Sequence, residues 1–114
     1  MRYMLLFAGD QEGYDAMTAA DQQAMLAQVG AWWEQNTAAG KLKSGDQLQP
    51  PRTATTVRHR GAEREISDGP FIEAKEQVGG FAIVEVASLD EALELAKSWP
   101  AGGAVEVRPV VEMH

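Results

Sequence analysis

The sequence has no cysteine, only two histidines and no long apolar run, and each absence excludes a class of function. Without cysteine there is no disulfide and no thiolate chemistry, and the composition suits a reducing cytoplasm, where we expect the protein to act. No apolar stretch approaches the ~20 residues of a membrane-spanning helix, so we expect no membrane association. Residues 1–8 are apolar but too short for the core of a secretory signal, and they predict a first strand.

Sites that depend on fixed motifs are also missing. The histidines, His59 and His114, lack the spacing of a zinc site, and no nucleotide-binding glycine pattern or nucleophile elbow occurs. We therefore expect no metal and no cofactor. A net charge of −7 argues against binding nucleic acid directly.

The charge is unevenly distributed along the chain. Residues 41–64 carry six basic and two acidic side chains, whereas both flanking segments are acidic. This basic segment either steers an anionic ligand or is a solvated strand pair that balances neighbouring acids, and we favour the second interpretation. The length of 114 residues and the hydrophobic content of 45% predict one globular domain spanning residues 1–114.

The apolar pattern predicts two helices and five strand-like segments. Thr18 is placed to cap a helix that ends before Gly40. Ser88 with Glu91 forms a capping box at the start of a second helix, which ends at Pro100 and is expected to bury Leu89, Ala92, Leu93, Ala96 and Trp99. Residues 9–14 are expected to be a loop and residues 41–51 irregular. Strands are expected at residues 2–8, 53–60, 63–67, 81–86 and 104–111.

Apart from one additional strand, the resulting order is βαββαβ, which predicts an α+β fold of the ferredoxin-like kind. Such a sheet carries helices on one face only, so its other face needs a cover. An apolar set with period-2 spacing is assigned to this face: Phe81, Ile83, Val105, Val107 and Val111. A homodimer with the two sheets face to face is the simplest way to cover it.

The segment from Asp68 to Phe81 concentrates unusual residues and is the predicted site. Asp68-Gly69-Pro70 favours a tight turn, in which Asp68 is either a turn-forming acid or a carboxylate at the mouth of the sheet. The Gly79-Gly80 pair indicates either close approach of a ligand or backbone, or a bulge entering a strand. Candidate ligand-binding residues are Asp68, Phe71, Glu73, Lys75, Glu76 and Arg108. Asp68 and Glu76 are the candidate catalytic acids or bases.

Trp32 and Trp33 stand next to each other on the first predicted helix. Adjacent helical positions differ by about 100°, so both cannot face the core squarely. We favour core packing, with one of the two available for a pocket wall or a dimer contact.

Five segments together resemble the YCII-related proteins of the DGPF subgroup. They are Met1–Leu6, Thr53–Arg58, Asp68–Phe71, Lys75–Phe81 and Val105–Val110. The resemblance extends over nearly the whole chain. It implies a bacterial protein whose ferredoxin-like subunits form a dimeric α/β-barrel.

The resemblance also bears on activity and partners. In the wider YCII family, a histidine on the first helix and an aspartate just before a proline after the second helix suggest an enzyme. Here the first predicted helix has no histidine and Trp99 precedes Pro100, so that pair is missing. DGPF-type proteins are often encoded beside, or fused to, extracytoplasmic-function sigma factors, which implies a regulatory role.

Three functional hypotheses follow from the sequence. The first is a small-molecule-binding, regulatory protein that uses the six candidate residues. The second is an enzyme in which Asp68 or Glu76 acts as acid or base. The third is an interaction partner of a sigma factor with no small ligand.

Overall fold

The structure is a computed structural model that describes residues 1–112, so His114 lies outside the described residues. Within the described residues the chain forms six strands: β1 (Arg2–Asp10), β2 (Leu42–Gln47), β3 (Thr55–Arg60), β4 (Glu63–Asp68), β5 (Glu76–Glu85) and β6 (Ala104–Pro109). It forms three α-helices over the same range: α1 (Gln11–Ala16), α2 (Ala19–Ala38) and α3 (Leu89–Lys97). None of these helices is long and apolar enough to cross a membrane.

The main sheet has the strand order β2-β5-β1-β6, with every neighbouring pair antiparallel. The helix α2 connects β1 to β2, and α3 connects β5 to β6, so each helix joins strands that have one other strand between them. This arrangement is the ferredoxin-like split βαβ pattern and confirms the predicted α+β fold class. The strands β3 and β4 pair only with each other and form a separate hairpin, which we call the arm (residues 55–68).

Three local expectations are wrong. β2 lies in the segment expected to be irregular, while the two strands expected in the main sheet form the arm. As an edge strand β2 buries only Leu42, so its polar sequence has no period-2 apolar signal. The helix α1 occupies much of the loop expected at residues 9–14.

The core lies between one face of the sheet and the helices α2 and α3. Phe7 from β1 stacks on Trp99 with ring centroids 3.9 Å apart, and the Trp32 ring meets both of these rings edge-on. The Trp32 indole N–H donates a 2.9 Å hydrogen bond to the Ser98 hydroxyl, which ties α2 to the end of α3. The other core side chains are Tyr3, Leu5, Leu42, Ala82, Val84, Val86, Ala92 and Leu95.

Both predicted helix starts are confirmed. The Thr18 hydroxyl accepts from the Asp21 amide, and the Ser88 hydroxyl accepts from the Glu91 amide. The Glu91 carboxylate in turn accepts from the Ala87 amide, 3.1 Å away. The buried face of α3 was predicted in part: Ala92 is buried as expected, whereas Leu89 and Leu93 are 48% and 37% exposed and Leu95 is buried instead.

The uncovered face of the sheet has a different composition from the one expected. In the β1–β6 register Val105 and Val107 stand opposite Phe7 and Leu5, so both valines point into the core. Val111 lies beyond β6 and is 76% exposed. Phe81 and Ile83 do lie on the uncovered face, where their register partners on β1 are Leu6 and Met4. These four half-buried side chains, Met4, Leu6, Phe81 and Ile83, are called the open apolar face below.

Candidate functional site

A cleft of about 870 Å³ opens at the end of the main sheet where β1 and β2 finish and β5 begins. The walls also include α1, α2 and the turn after Trp99. Ligand pockets for small molecules have volumes of about 300–1,000 Å³, so the size suits a small organic molecule.

The apolar wall of the cleft comes from one stripe of α2. Met25, Val29 and Trp33 recur at i, i+4 and i+8, and all three side chains line the cleft together with the 43% exposed Leu26. Trp32, one position earlier than Trp33, is buried in the core. The 100° separation between adjacent positions thus divides the two tryptophans between core and cleft, which is the pocket-wall alternative that the sequence left open beside core packing.

Glycines bring the backbone close together beside the cleft. At Gly45 φ is +151°, and a Cβ would collide with the Phe81 carbonyl and lie 2.9 Å from the Trp33 ring. On the neighbouring strand, the β1–β5 register shifts at Phe7/Ala8 and leaves Gly79 unpaired. The Gly79-Gly80 pair therefore forms a bulge entering β5, one of the two structures that the sequence left open.

Four acidic residues from four different elements border the cleft: Asp10, Glu34, Asp46 and Glu76. Asp46 is the register partner of Phe81 on the uncovered face, so its carboxylate points away from the Trp33 wall. Asp10 and Glu76 are direct register partners at the ends of β1 and β5. Side chains directly opposite each other in an antiparallel pair have Cβ atoms about 4.5–5.5 Å apart, so these two acids share one edge of the cleft. Within residues 1–112, no lysine, arginine or histidine lines the cleft.

Of the six candidate ligand residues, Glu76 alone lines the cleft. Glu73 and Lys75 are exposed in the irregular segment before β5. Arg108 is on the uncovered face of β6 opposite Met4, where it pairs with Glu106. The structure therefore does not bring the six residues together.

The first part of the predicted site, Asp68 to Phe71, contacts the arm and not the cleft. Asp68 ends β4, and Gly69 turns the chain with φ +97° while its amide donates to the Ala54 carbonyl. The Arg58 guanidinium lies over the Phe71 ring, 5.8 Å from its centroid, and donates to the Phe71 carbonyl and the Ser67 hydroxyl. Phe71 and part of β3 line a shallow depression of about 440 Å³ on the arm.

The end of the same segment supports the cleft. The Gln77 side-chain amide donates to the carbonyls of Ile72 and Ala74, at 2.8 and 3.0 Å, and thereby closes the turn before β5. Gln77 and Glu76 both line the cleft. The predicted site is thus divided between a structural part on the arm and a part that forms the cleft.

Asp10, Glu34 and Asp46 border the cleft but were not among the residues predicted from the sequence. Asp10 is the last residue of the largely apolar strand β1, and a polar residue at a strand end is a signal that could have identified it. Asp46 lies on β2, whose strand character the pattern did not show. Glu34 follows Trp33 on α2, and nothing in its local sequence marks it as a cleft residue.

Two further findings concern the ionisable side chains. Among residues 1–112, no three side chains of the metal-binding types come together to hold an ion. A hydrogen bond from Arg2 lowers the pKa of Glu112. Arg2 lies at the start of β1 and the cleft at the end of that strand, so this pKa shift belongs to a group outside the cleft.

Comparison with known proteins adds the family. The model of the YCII-related domain matches residues 1–114. The chain belongs to the YCII-related family. An uncharacterized protein of Rhizobium meliloti (strain 1021) is 36% identical to this YCII-related protein, with 96% of this chain and 92% of the relative covered.

Proposed function

We propose that this YCII-related protein binds a small organic molecule in the cleft and acts in the cytoplasm as a homodimeric, regulatory protein. The observation that carries the proposal is the cleft itself, in which an apolar wall with Trp33 faces a rim of polar groups. Apolar walls with a few polar groups are typical of small-molecule sites. The His-Asp pair that suggests enzymes elsewhere in the family is absent, since Trp99 precedes Pro100 and its ring stacks on Phe7.

A thermal-shift screen of a metabolite library tests this proposal when it is repeated on a variant with a filled cleft. Gly30 lines the cleft from α2, and a Cβ there meets no atom within 4 Å. Gly30→Leu should therefore obstruct the cleft, while the better helix propensity of leucine preserves or improves folding by about 0.5–1 kcal/mol.

We expect compounds that stabilise the wild type to lose their effect in Gly30→Leu. They should keep it in Asp68→Asn and Lys75→Ala, because neither residue lines the cleft. If no compound class stabilises the wild type, or if stabilisation survives in Gly30→Leu, ligand binding in the cleft is wrong.

A second candidate is an enzyme in which Glu76 acts as acid or base. The observation in its favour is the register pairing of Glu76 with Asp10, because acid–base catalysis commonly uses two carboxyl groups close together. Asp68, the other candidate, lies on the exposed arm. The enzyme hypothesis predicts turnover that depends on pH and is lost in Glu76→Gln without loss of ligand binding. Unchanged turnover in that variant would exclude Glu76 as the catalytic acid or base.

The homodimer is supported by the open apolar face. Met4, Leu6, Phe81 and Ile83 form a continuous set on the two central strands, and no element of the described chain covers them. A second copy that places its own open apolar face against this one would bury both sets and give the dimeric α/β-barrel that the resemblance implies.

A sigma-factor partner is the third candidate, and the arm is the surface that favours it. Val57 and Ile66 are opposite each other in the arm and are 51% and 73% exposed, and Phe71 beside them is 69% exposed. Exposed apolar patches of this kind mark interaction surfaces. Co-purification with an extracytoplasmic-function sigma factor should be lost in Ile66→Asp, and an unaffected complex would rule the arm out as the contact.

A further inference from the structure

The face of the sheet that packs against α2 ends in glycines at the cleft. Side chains alternate along β1, so Gly9 lies on the same face as the buried Phe7. The register places Gly80 opposite Phe7 and Gly45 opposite the buried Ala82, so these two glycines lie on that face as well. All three line the cleft and come from the neighbouring strands β1, β5 and β2. The sheet therefore presents bare backbone to α2 at this end, and this surface of Gly9, Gly45 and Gly80 is called the glycine floor below.

Packing within the chain accounts for only part of this glycine content. A Cβ at Gly45 or at Gly80 would come within 3.1 Å of a carbonyl oxygen on the neighbouring strand, so close backbone packing requires both. A Cβ at Gly9 or at Gly30 would meet no atom within 4 Å, and neither residue has a positive φ. Glycine inside a strand or a helix lowers stability relative to residues with a side chain. Gly9 on the sheet and Gly30 on α2 therefore keep space open in the cleft that ordinary side chains could fill.

The wall opposite the glycine floor is apolar and partly aromatic. The stripe of Met25, Val29 and Trp33 on α2 forms this wall. The inner end of the cleft is aromatic as well, because Phe7 and Trp99 stack on each other and both line the cleft, and the Trp33 ring centroid lies 6.5 Å from that of Phe7. The cleft and this wall make the site, and the glycine floor sets its shape.

The charged groups that border the cleft lie outside the space between floor and wall. Asp46 belongs to the uncovered face of the sheet. Asp10 follows the core-facing Phe7 by three positions, so Asp10 and its register partner Glu76 belong to the uncovered face too. Glu34 is exposed on α2, and no lysine, arginine or histidine of residues 1–112 lines the cleft. A charged group bound between floor and wall would therefore lack a partner of opposite charge.

Floor and wall together indicate the shape and polarity of the ligand. We propose that the cleft binds an uncharged molecule with a flat aromatic ring, which lies between the glycine floor and the Trp33 wall. A flat ring contacts bare backbone over its whole face, whereas a puckered ring contacts it through fewer atoms, and aromatic rings also attract one another. Burying an unpaired charge is costly, which disfavours a charged ring. This inference rests on the proposed function, because it names the ligand class of the same cleft.

Three probes with the same three-carbon chain test the inference by titration calorimetry: 3-phenylpropanol, 3-cyclohexylpropanol and 3-phenylpropanoate. We expect the phenyl alcohol to bind with a Kd below about 1 mM and at least about fivefold more tightly than the cyclohexyl alcohol. The cyclohexyl ring has the larger apolar surface, so burial of apolar area alone would give the opposite order. The propanoate should bind most weakly, because its charge has no partner in the cleft.

A variant of the glycine floor then assigns the preference to this surface. In Gly9→Val we expect the phenyl alcohol to lose about tenfold in affinity, because the new side chain occupies the space of the ring. The variant should fold, since a Cβ at Gly9 meets no atom within 4 Å and β-branched residues suit strands. Ala104→Val is the matched control, because Ala104 is exposed on the neighbouring strand β6 and does not line the cleft. It should leave all three affinities unchanged.

The outcomes separate this inference from the proposal beneath it. The inference is overturned if the cyclohexyl alcohol binds as tightly as the phenyl alcohol, if the propanoate binds best, or if the phenyl alcohol does not bind. Full affinity of the phenyl alcohol for folded Gly9→Val also overturns it, and the comparison of the two alcohols on the wild type decides without any variant. The library screen with Gly30→Leu decides independently whether the cleft binds any small molecule, so a charged or non-aromatic library ligand lost in that variant would preserve the proposed function alone.

Discussion

At the scale of single residues, Gly45 lets the edge strand β2 lie close to both β5 and Trp33. Its φ of +151° is a conformation that side chains with a Cβ rarely adopt, and a Cβ would lie 2.8 Å from the Ala82 Cα atom and 2.9 Å from the Trp33 ring. The residue thus supports the sheet edge and the position of a cleft tryptophan together.

We predict that Gly45→Ala lowers the free energy of unfolding by about 2–4 kcal/mol, because it combines backbone strain with a steric collision. Gly79→Ala is the matched control: Gly79 stands in the bulge of β5, and a Cβ there meets nothing within 4 Å. Urea denaturation of both variants measures the effect. Equal stability of Gly45→Ala and wild type would show that β2 does not approach Trp33 so closely.

The sequence predicted individual residues well where a local rule applied. Helix capping by Thr18 and Ser88 depends on neighbours three positions away, so it could be recognised without the fold. Asp10 and Glu76 are 66 positions apart and meet only through strand pairing. This pair of acids therefore could not be recognised before the register of the sheet was known.

At the scale of elements, the start of α3 depends on the capping box. The Ser88 hydroxyl accepts from the Glu91 amide, and the Glu91 carboxylate accepts from the Ala87 amide and lies 3.6 Å from the Lys41 ammonium group. We predict that Ser88→Ala costs about 1 kcal/mol of unfolding free energy, whereas Ser88→Asp, which can also cap, stays near wild type. Chemical denaturation checks both variants, and equal losses in the two would contradict a capping role.

The elements that the sequence misplaced are those whose role is set by pairing partners. The segments 53–60 and 63–67 are correctly predicted as strands joined by a two-residue turn at Gly61, but they pair with each other and not with the main sheet. Strand propensity acts locally, whereas the choice of a neighbouring strand depends on the whole fold. For the same reason the polar edge strand β2 was missed and the alternation of β6 was assigned to the wrong face.

At the scale of the whole molecule, the chain is flat and extended, a shape that favours the proposed homodimer. The chain measures 48 × 45 × 18 Å and has a radius of gyration of 16.0 Å. A compact chain of this length would have a radius of gyration of about 13 Å. The arm extends the molecule, and the open apolar face leaves one side of the sheet uncovered.

We predict that sedimentation gives twice the 12.4 kDa chain mass at micromolar concentration, because two open apolar faces bury each other. Leu6→Arg places a charge in the centre of this face and should give the monomer with unchanged helix content. Ile66→Asp on the arm is the matched control and should remain dimeric. A monomeric wild type would contradict burial of the open apolar face by a second copy of the chain.

Binding of a small molecule in the cleft is tested most directly by mapping bound 3-phenylpropanol in amide and indole proton–nitrogen correlation spectra. We predict that this probe shifts the Trp33 indole signal and the amide signals of Asp10, Glu76 and Gly80, all of which belong to residues that line the cleft. The signals of Arg58 and Phe71 on the arm should remain in place. Shifts confined to the arm, or none at millimolar probe, would contradict a ligand site in the cleft.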